Sequence, residues 1–137
     1  MKTRVFVVFA IGMSLALSAM AQSKVKAAEG AADGWLKVVD SGNYAQSWDD
    51  AATYFKAAVS KEDWKKMLGA TRTPLGKVVS RELLSAKYTT QLPGAPDGEY
   101  VVIQYESSFE HKKAGVETVT AMLDKDGRWR VGGYFIK

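Results

Sequence analysis

Near Val78 the spacing of the apolar residues changes from every third or fourth position to every second. That change divides the chain. A 3.6-residue period builds helices that bury one stripe, and a period of two builds strands that bury one face. Before it, Val25, Ala28, Ala32, Trp35 and Val39 form one stripe. Ser41-Gly42-Asn43 stops that helix, with Gly42 suited to the left-handed position after a helix end. Tyr44, Trp48, Ala51, Phe55 and Val59 form a second stripe, read as one helix. Ser60 and Asp63 have the spacing of an N-terminal cap, opening a third helix with Trp64, Met67 and Leu68. Gly69 and then Pro74 are read as closing it.

After the change, four strands are expected. The first carries Leu84, Ala86, Tyr88 and Leu92 on one parity, with Arg81, Ser85, Lys87, Thr89 and Gln91 on the other. Pro93 to Gly98 is a turn cluster. Tyr100 to Phe109 is the second strand, His111 to Gly115 a loop, and Val116 to Leu123 the third strand. Asp126-Gly127 lies in a hairpin turn, and Trp129 to Ile136 is the fourth strand. Short links between neighbours imply an antiparallel meander. The expected fold is α+β, with three N-terminal helices on one face of a four-stranded sheet.

The first 21 residues read differently. Lys2 and Arg4 precede an uncharged apolar stretch, Val5 to Leu17, and Ala19-Met20-Ala21 is a small-x-small cleavage pattern. This is the layout of a secretory signal, cut after Ala21. The apolar run is too short for a membrane span. One domain, residues 22–137, is expected to remain. Removing Lys2 and Arg4 leaves 17 basic residues against 15 acidic ones, a net charge of +2. Such a balance gives no footing for nucleic-acid binding. The chain has no cysteine, and an exported protein without cysteine suits a bacterial periplasm. The expected location is periplasmic or secreted.

Composition removes several chemistries. No cysteine means no disulfide framework, thiolate nucleophile or thiolate metal site, and one histidine excludes a multi-histidine site. No serine elbow and no phosphate-binding glycine fingerprint is present. No cofactor is therefore expected. His111 is read as a solvated loop residue, and Asp49 and Asp50 as a solvated helix face. Asp124-x-Asp126-Gly127 begins like a calcium loop, but Arg128, Trp129 and Arg130 cannot continue it, so it is read as a turn. Trp35, Trp48, Trp64 and Trp129 are read as core.

Glu117 stands apart. It shares a parity with Val119, Ala121 and Leu123, so it points to an apolar face, where a carboxylate needs a partner. Counting back across the Asp126-Gly127 turn places Arg130 near Leu123 on that face and Tyr134 nearer Glu117; Arg81 is another candidate partner. Two readings follow. Glu117 is a structural ion pair or hydrogen-bond centre, or it is a polar group at the base of a ligand-binding cup. The favoured function is a non-catalytic binding or interaction module. The alternative is an enzyme with Glu117 as acid or base and Tyr134 or Arg130 as electrostatic helper. Both parities of the last two strands carry apolar residues, so the second sheet face is expected to be covered by a second copy or a periplasmic protein partner.

The segments Arg72-Thr73-Pro74-Leu75-Gly76, Leu92 to Gly98, Glu117-Thr118-Val119-Thr120 and Trp129 to Tyr134 together resemble the domain of unknown function 4019 family of exported bacterial proteins. The resemblance runs from about Ala32 to Ile136. It implies a small periplasmic or secreted domain whose helix-then-curved-sheet layout is similar to cystatin-like or nuclear-transport-factor-2-like rolls. It brings no established activity and no catalytic residues.

Overall fold

The structure is a computed structural model that describes the backbone of residues 3–137, with side chains for residue 16 and residues 18–137. Helices come first and strands follow: α1 (Thr3–Asp40), α2 (Tyr44–Asp49), α3 (Thr53–Ala58), α4 (Lys61–Arg72), a 3-10 turn at Thr73–Leu75, then β1 (Val78–Thr89), β2 (Tyr100–Phe109), β3 (Lys112–Leu123) and β4 (Trp129–Ile136). The strands form one antiparallel sheet in the order β1-β2-β3-β4, so β1 and β4 are its edges. This is the expected α+β meander. Among the described residues no helix is long and apolar enough to cross a membrane. The side chains of most of the expected signal segment lie outside the described residues.

α1 crosses the sheet. Ala28 and Ala32 are fully buried, and their small side chains let the helix lie close to the strands. Trp35, Leu36 and Val39 continue the stripe and meet Val101, Ile103 and Tyr105 of β2, Val119 and Ala121 of β3, and Val131 of β4. Gly42, at φ 82°, ends the helix as expected, and the Asn43 N–H returns to the Val38 carbonyl at 3.2 Å.

The expected second helix is broken in two. Ala51 and Ala52 are fully buried, and the Ala52 N–H donates to the Val131 carbonyl at 2.8 Å instead of continuing a helix. Asp124 then caps α3 from the β3–β4 turn, with its Oδ2 accepting from both Thr53 N–H and Thr53 Oγ1 at 3.0 Å. Ser60 caps α4 as expected, accepting from Asp63 N–H at 3.2 Å. Gly69 does not close α4, which runs on to Arg72.

Three details of the sheet depart from strict alternation. β3 begins at Lys112, so the expected loop at residues 111–115 is mostly strand. Register shifts at Leu83/Ser85 and at Thr120/Ala121 each insert an extra residue into one strand. An inserted residue reverses which face every later side chain takes. On β1 this turns Arg81 to the same face as Ala86 and Tyr88, against the expected parity. On β4 it brings Val131 and Tyr134 together on the helix-covered face. The outer face then carries Tyr100, Val102, Val116, Met122 and Phe135 among Gln104, Glu106, Thr118 and Thr120.

Candidate functional site

The chemistry-bearing groups of the helix-covered face converge on Glu117. β3 carries it inward beside Val119 and Ala121, and it has no solvent exposure. A bare carboxylate there would be costly. Here both oxygens are occupied by four donors. Arg81 on β1 meets it side-on, Nε to Oε1 at 2.7 Å and Nη2 to Oε2 at 3.2 Å. Ser107 on β2 donates its hydroxyl to Oε1, and Tyr134 on β4 donates its hydroxyl to Oε2. Every strand of the sheet thus contributes to one carboxyl group.

The network extends into the helices. Arg81 also donates to Asp40, the last residue of α1, through Nη1 at 2.8 Å and Nη2 at 3.1 Å. Arg72, the last residue of α4, donates to Asp40 Oδ1 at 2.9 Å and lies 5.0 Å from the centroid of the Phe109 ring. Two carboxylates face two guanidiniums, so the cluster is neutral as a unit. Burial pulls the Asp40 pKa up, but the hydrogen bonds and charges of Arg81 and then Arg72 outweigh it and hold it below the ordinary range. Burial works to lower the Arg81 pKa, and Asp40 and Glu117 more than reverse it. Burial, reinforced by the charge and hydrogen bond of Glu117, pushes the Tyr134 hydroxyl well above its usual value. Tyr134 is therefore a neutral donor at any physiological pH.

The expected site residues divide. Glu117, Tyr134 and Arg81 are brought together. Arg130 is not: the shift on β4 pairs it with Met122, and its guanidinium holds Asp124 at 3.2 Å and Asp126 through two bonds of 2.8 Å. It belongs to the β3–β4 turn. Asp40, Arg72 and Ser107 complete the network without having been singled out. Two of them left a trace in the sequence. Arg72 continues the buried stripe Trp64, Leu68, and Ser107 sits on the buried parity of Val101, Ile103, Tyr105 and Phe109.

The other candidates take the places expected of them. Trp35 and Trp64 are buried, while Trp48 and Trp129 pack against the core from its edge. His111 is exposed in the β2–β3 turn. Asp49 is exposed and pairs with Lys61 at 3.0 Å. Among the described residues no group of three or more His, Cys, Asp or Glu side chains is arranged to hold a metal ion.

An α+β chain of helices followed by a four-stranded meander, with one buried carboxylate shared by all four strands, is the class of domain these observations define. The family model described as "Protein of unknown function (DUF4019)" matches residues 31–134, and the chain belongs to that family. No curated protein matches it.

Proposed function

We propose that the protein is exported, that its mature chain begins at Gln22, and that it works as a binding module rather than a catalyst. The observation that carries the second part is the saturation of Glu117. An acid or base must reach a substrate proton, and a carboxylate with four donors and no exposure has no free lone pair to offer. Its bidentate guanidinium partner and neutral tyrosine donor suit a structural centre. This favours the binding reading over the acid–base alternative.

Export is supported by the leader pattern and by where the domain's contacts begin. Residues 18–23 are exposed, and the first described side chain to bond beyond its own helix is Lys24, which donates at 2.6 Å to Glu99, just before β2. Among the described residues, a cut after Ala21 thus removes no side-chain hydrogen bond or ion pair. The cystatin-like or nuclear-transport-factor-2-like reading of the roll belongs to the same proposal.

Glu117→Gln tests the binding reading. If the carboxylate is structural, the variant loses about 3 kcal/mol, because the half-buried Arg81 loses its charged partner on the sheet. A variant as stable as the parent in urea denaturation would return the bet to the enzyme. The intact mass of protein recovered from the periplasm tests export, and a species that retains Lys2 and Arg4 would refute it.

A further inference from the structure

The two edges of the sheet are treated differently. β1 carries Arg81, Glu82 and Lys87 and is bent by two register shifts, which are the usual protections of an exposed edge. β4 carries no charge and no proline from Val131 to Ile136, and its one register shift falls at Gly132, before Tyr134. Its start is covered, since the Val131 carbonyl accepts from Ala52. Beyond that point the cover ends.

The register identifies which backbone groups are free. Val116 and Lys137 exchange two hydrogen bonds of 3.0 Å. Antiparallel pairs alternate between bonded and non-bonded, so Phe135 bonds Thr118 while Tyr134 and Ile136 turn their N–H and C=O groups outward. Among the described residues nothing bonds those outward groups. Along the same edge runs an open apolar slot of about 210 Å³, walled by Trp64, Met67, Leu68 and Thr71 of α4 against Tyr134 and Ile136. Met67 on its wall and Phe135 across the edge are both more than half exposed.

We propose that the β4 edge at Tyr134–Ile136 is a docking site for an extended apolar peptide segment, which adds to the sheet as a further strand. The inference rests on the binding-module reading and gives it a site. A strand laid there bonds the free backbone groups of Tyr134 and Ile136. Its side chains alternate, one set entering the slot beside α4 and the other lying by Phe135. Size selects the occupant. The slot is smaller than the roughly 300–1,000 Å³ of small-molecule sites and suits one or two side chains. The open edge from Gly132 to Ile136 is roughly 16 Å long. It cannot by itself bury the roughly 800 Å² per partner that a stable pair of folded proteins needs. No charged side chain lines the slot, so the residue entering it is apolar.

The test uses the mature protein and capped, fluorescein-labelled peptides Lys-Thr-Val-X-Val-Thr-Lys, with X as Leu, Phe, Asp or Lys. Titration is followed by fluorescence anisotropy and by backbone amide NMR. The Leu and Phe peptides should bind saturably, shift the Tyr134 and Ile136 amides, and bind at least about tenfold more tightly than the Asp and Lys peptides. Met67→Lys should weaken the Leu peptide about tenfold or more while leaving the unfolding midpoint in place, because Met67 is 56% exposed. Binding that shifts amides elsewhere overturns the edge but leaves a binding module. No saturable binding by any of the four peptides overturns the edge. So does protection of these amides that grows with protein concentration alone, which assigns the edge to a second copy. Failure of the module reading would show separately, as a Glu117→Gln variant of undiminished stability.

Discussion

Arg72 is held by Asp40 through one bond: Nη2 donates to Asp40 Oδ1 at 2.9 Å, while its Nε and Nη1 have no hydrogen-bond partner among the described residues. Arg72 is 4% exposed, so removing Asp40 leaves a buried guanidinium facing only the Phe109 ring and the neighbouring network. Asp40→Asn should cost about 2–3 kcal/mol at pH 7 in urea denaturation. The pH dependence has a definite sign. The folded Asp40 pKa lies below its unfolded value, so its stabilisation is present above about pH 4 and is lost as pH falls through the folded value. The gap between parent and variant should therefore narrow below pH 4. A gap that widens there would refute the assignment.

Glu117 and Arg81 should be strongly coupled. Arg81→Met leaves the fully buried Glu117 without its counterion and Glu117→Gln leaves Arg81 with Asp40 alone, whereas the double variant removes both. The double variant should be more stable than the sum of the single losses allows, by about 1–3 kcal/mol. Additive losses within about 0.5 kcal/mol would mean that the pair is not a unit.

The buried tyrosines set an alkaline limit. Burial raises the Tyr105 hydroxyl, helped by its hydrogen bond to Asp33, and burial and Glu117 raise Tyr134. The unfolded chain releases both protons near pH 10 while the folded protein keeps them, so stability falls as pH rises above about 10. In an absorbance titration, these two should ionise only with unfolding. Their ionisation with the exposed tyrosines, before any loss of circular dichroism, would contradict this.

Ser47 serves two tryptophans. Its carbonyl accepts from Trp35 Nε1 at 2.8 Å, and its hydroxyl accepts from Trp64 Nε1 at 2.9 Å. Ser47→Ala removes only the second acceptor. It should cost about 1–3 kcal/mol and move the Trp64 indole proton resonance while sparing that of Trp35. Equal movement of both resonances would indicate a general rearrangement instead.

Most of this architecture follows from periodicity. The switch in period near Val78 gives the order of helices and strands, and β2 and β4 have the expected bounds. Glu117 was legible because a carboxylate on an apolar parity requires partners. Arg81 was harder to place and Arg130 was misplaced, for one physical reason: a bulge adds a residue without adding a signal, and every side chain beyond it changes face. Gly132-Gly133 was the local hint on β4. The break after α2 was hidden because the Ala51–Ala52 link obeys a contact with Val131, far along the chain. Asp40 lay at a helix end, where polar residues are ordinary, and nothing local marked its two arginine partners.

The shell around Glu117 also has an order along the chain. α1 and α4 bring Asp40 and Arg72, β1 and β2 add Arg81 and Ser107, and the hydroxyl that closes the shell arrives only with Tyr134, near the C-terminal end of the chain. Contacts that span so much sequence form slowly, because each must first close a long loop. Until the last strand docks, the carboxylate lacks its tyrosine donor and the α1 side of the sheet is incomplete. The shell of this one carboxylate therefore cannot close before β4, the last strand of the meander, is in place.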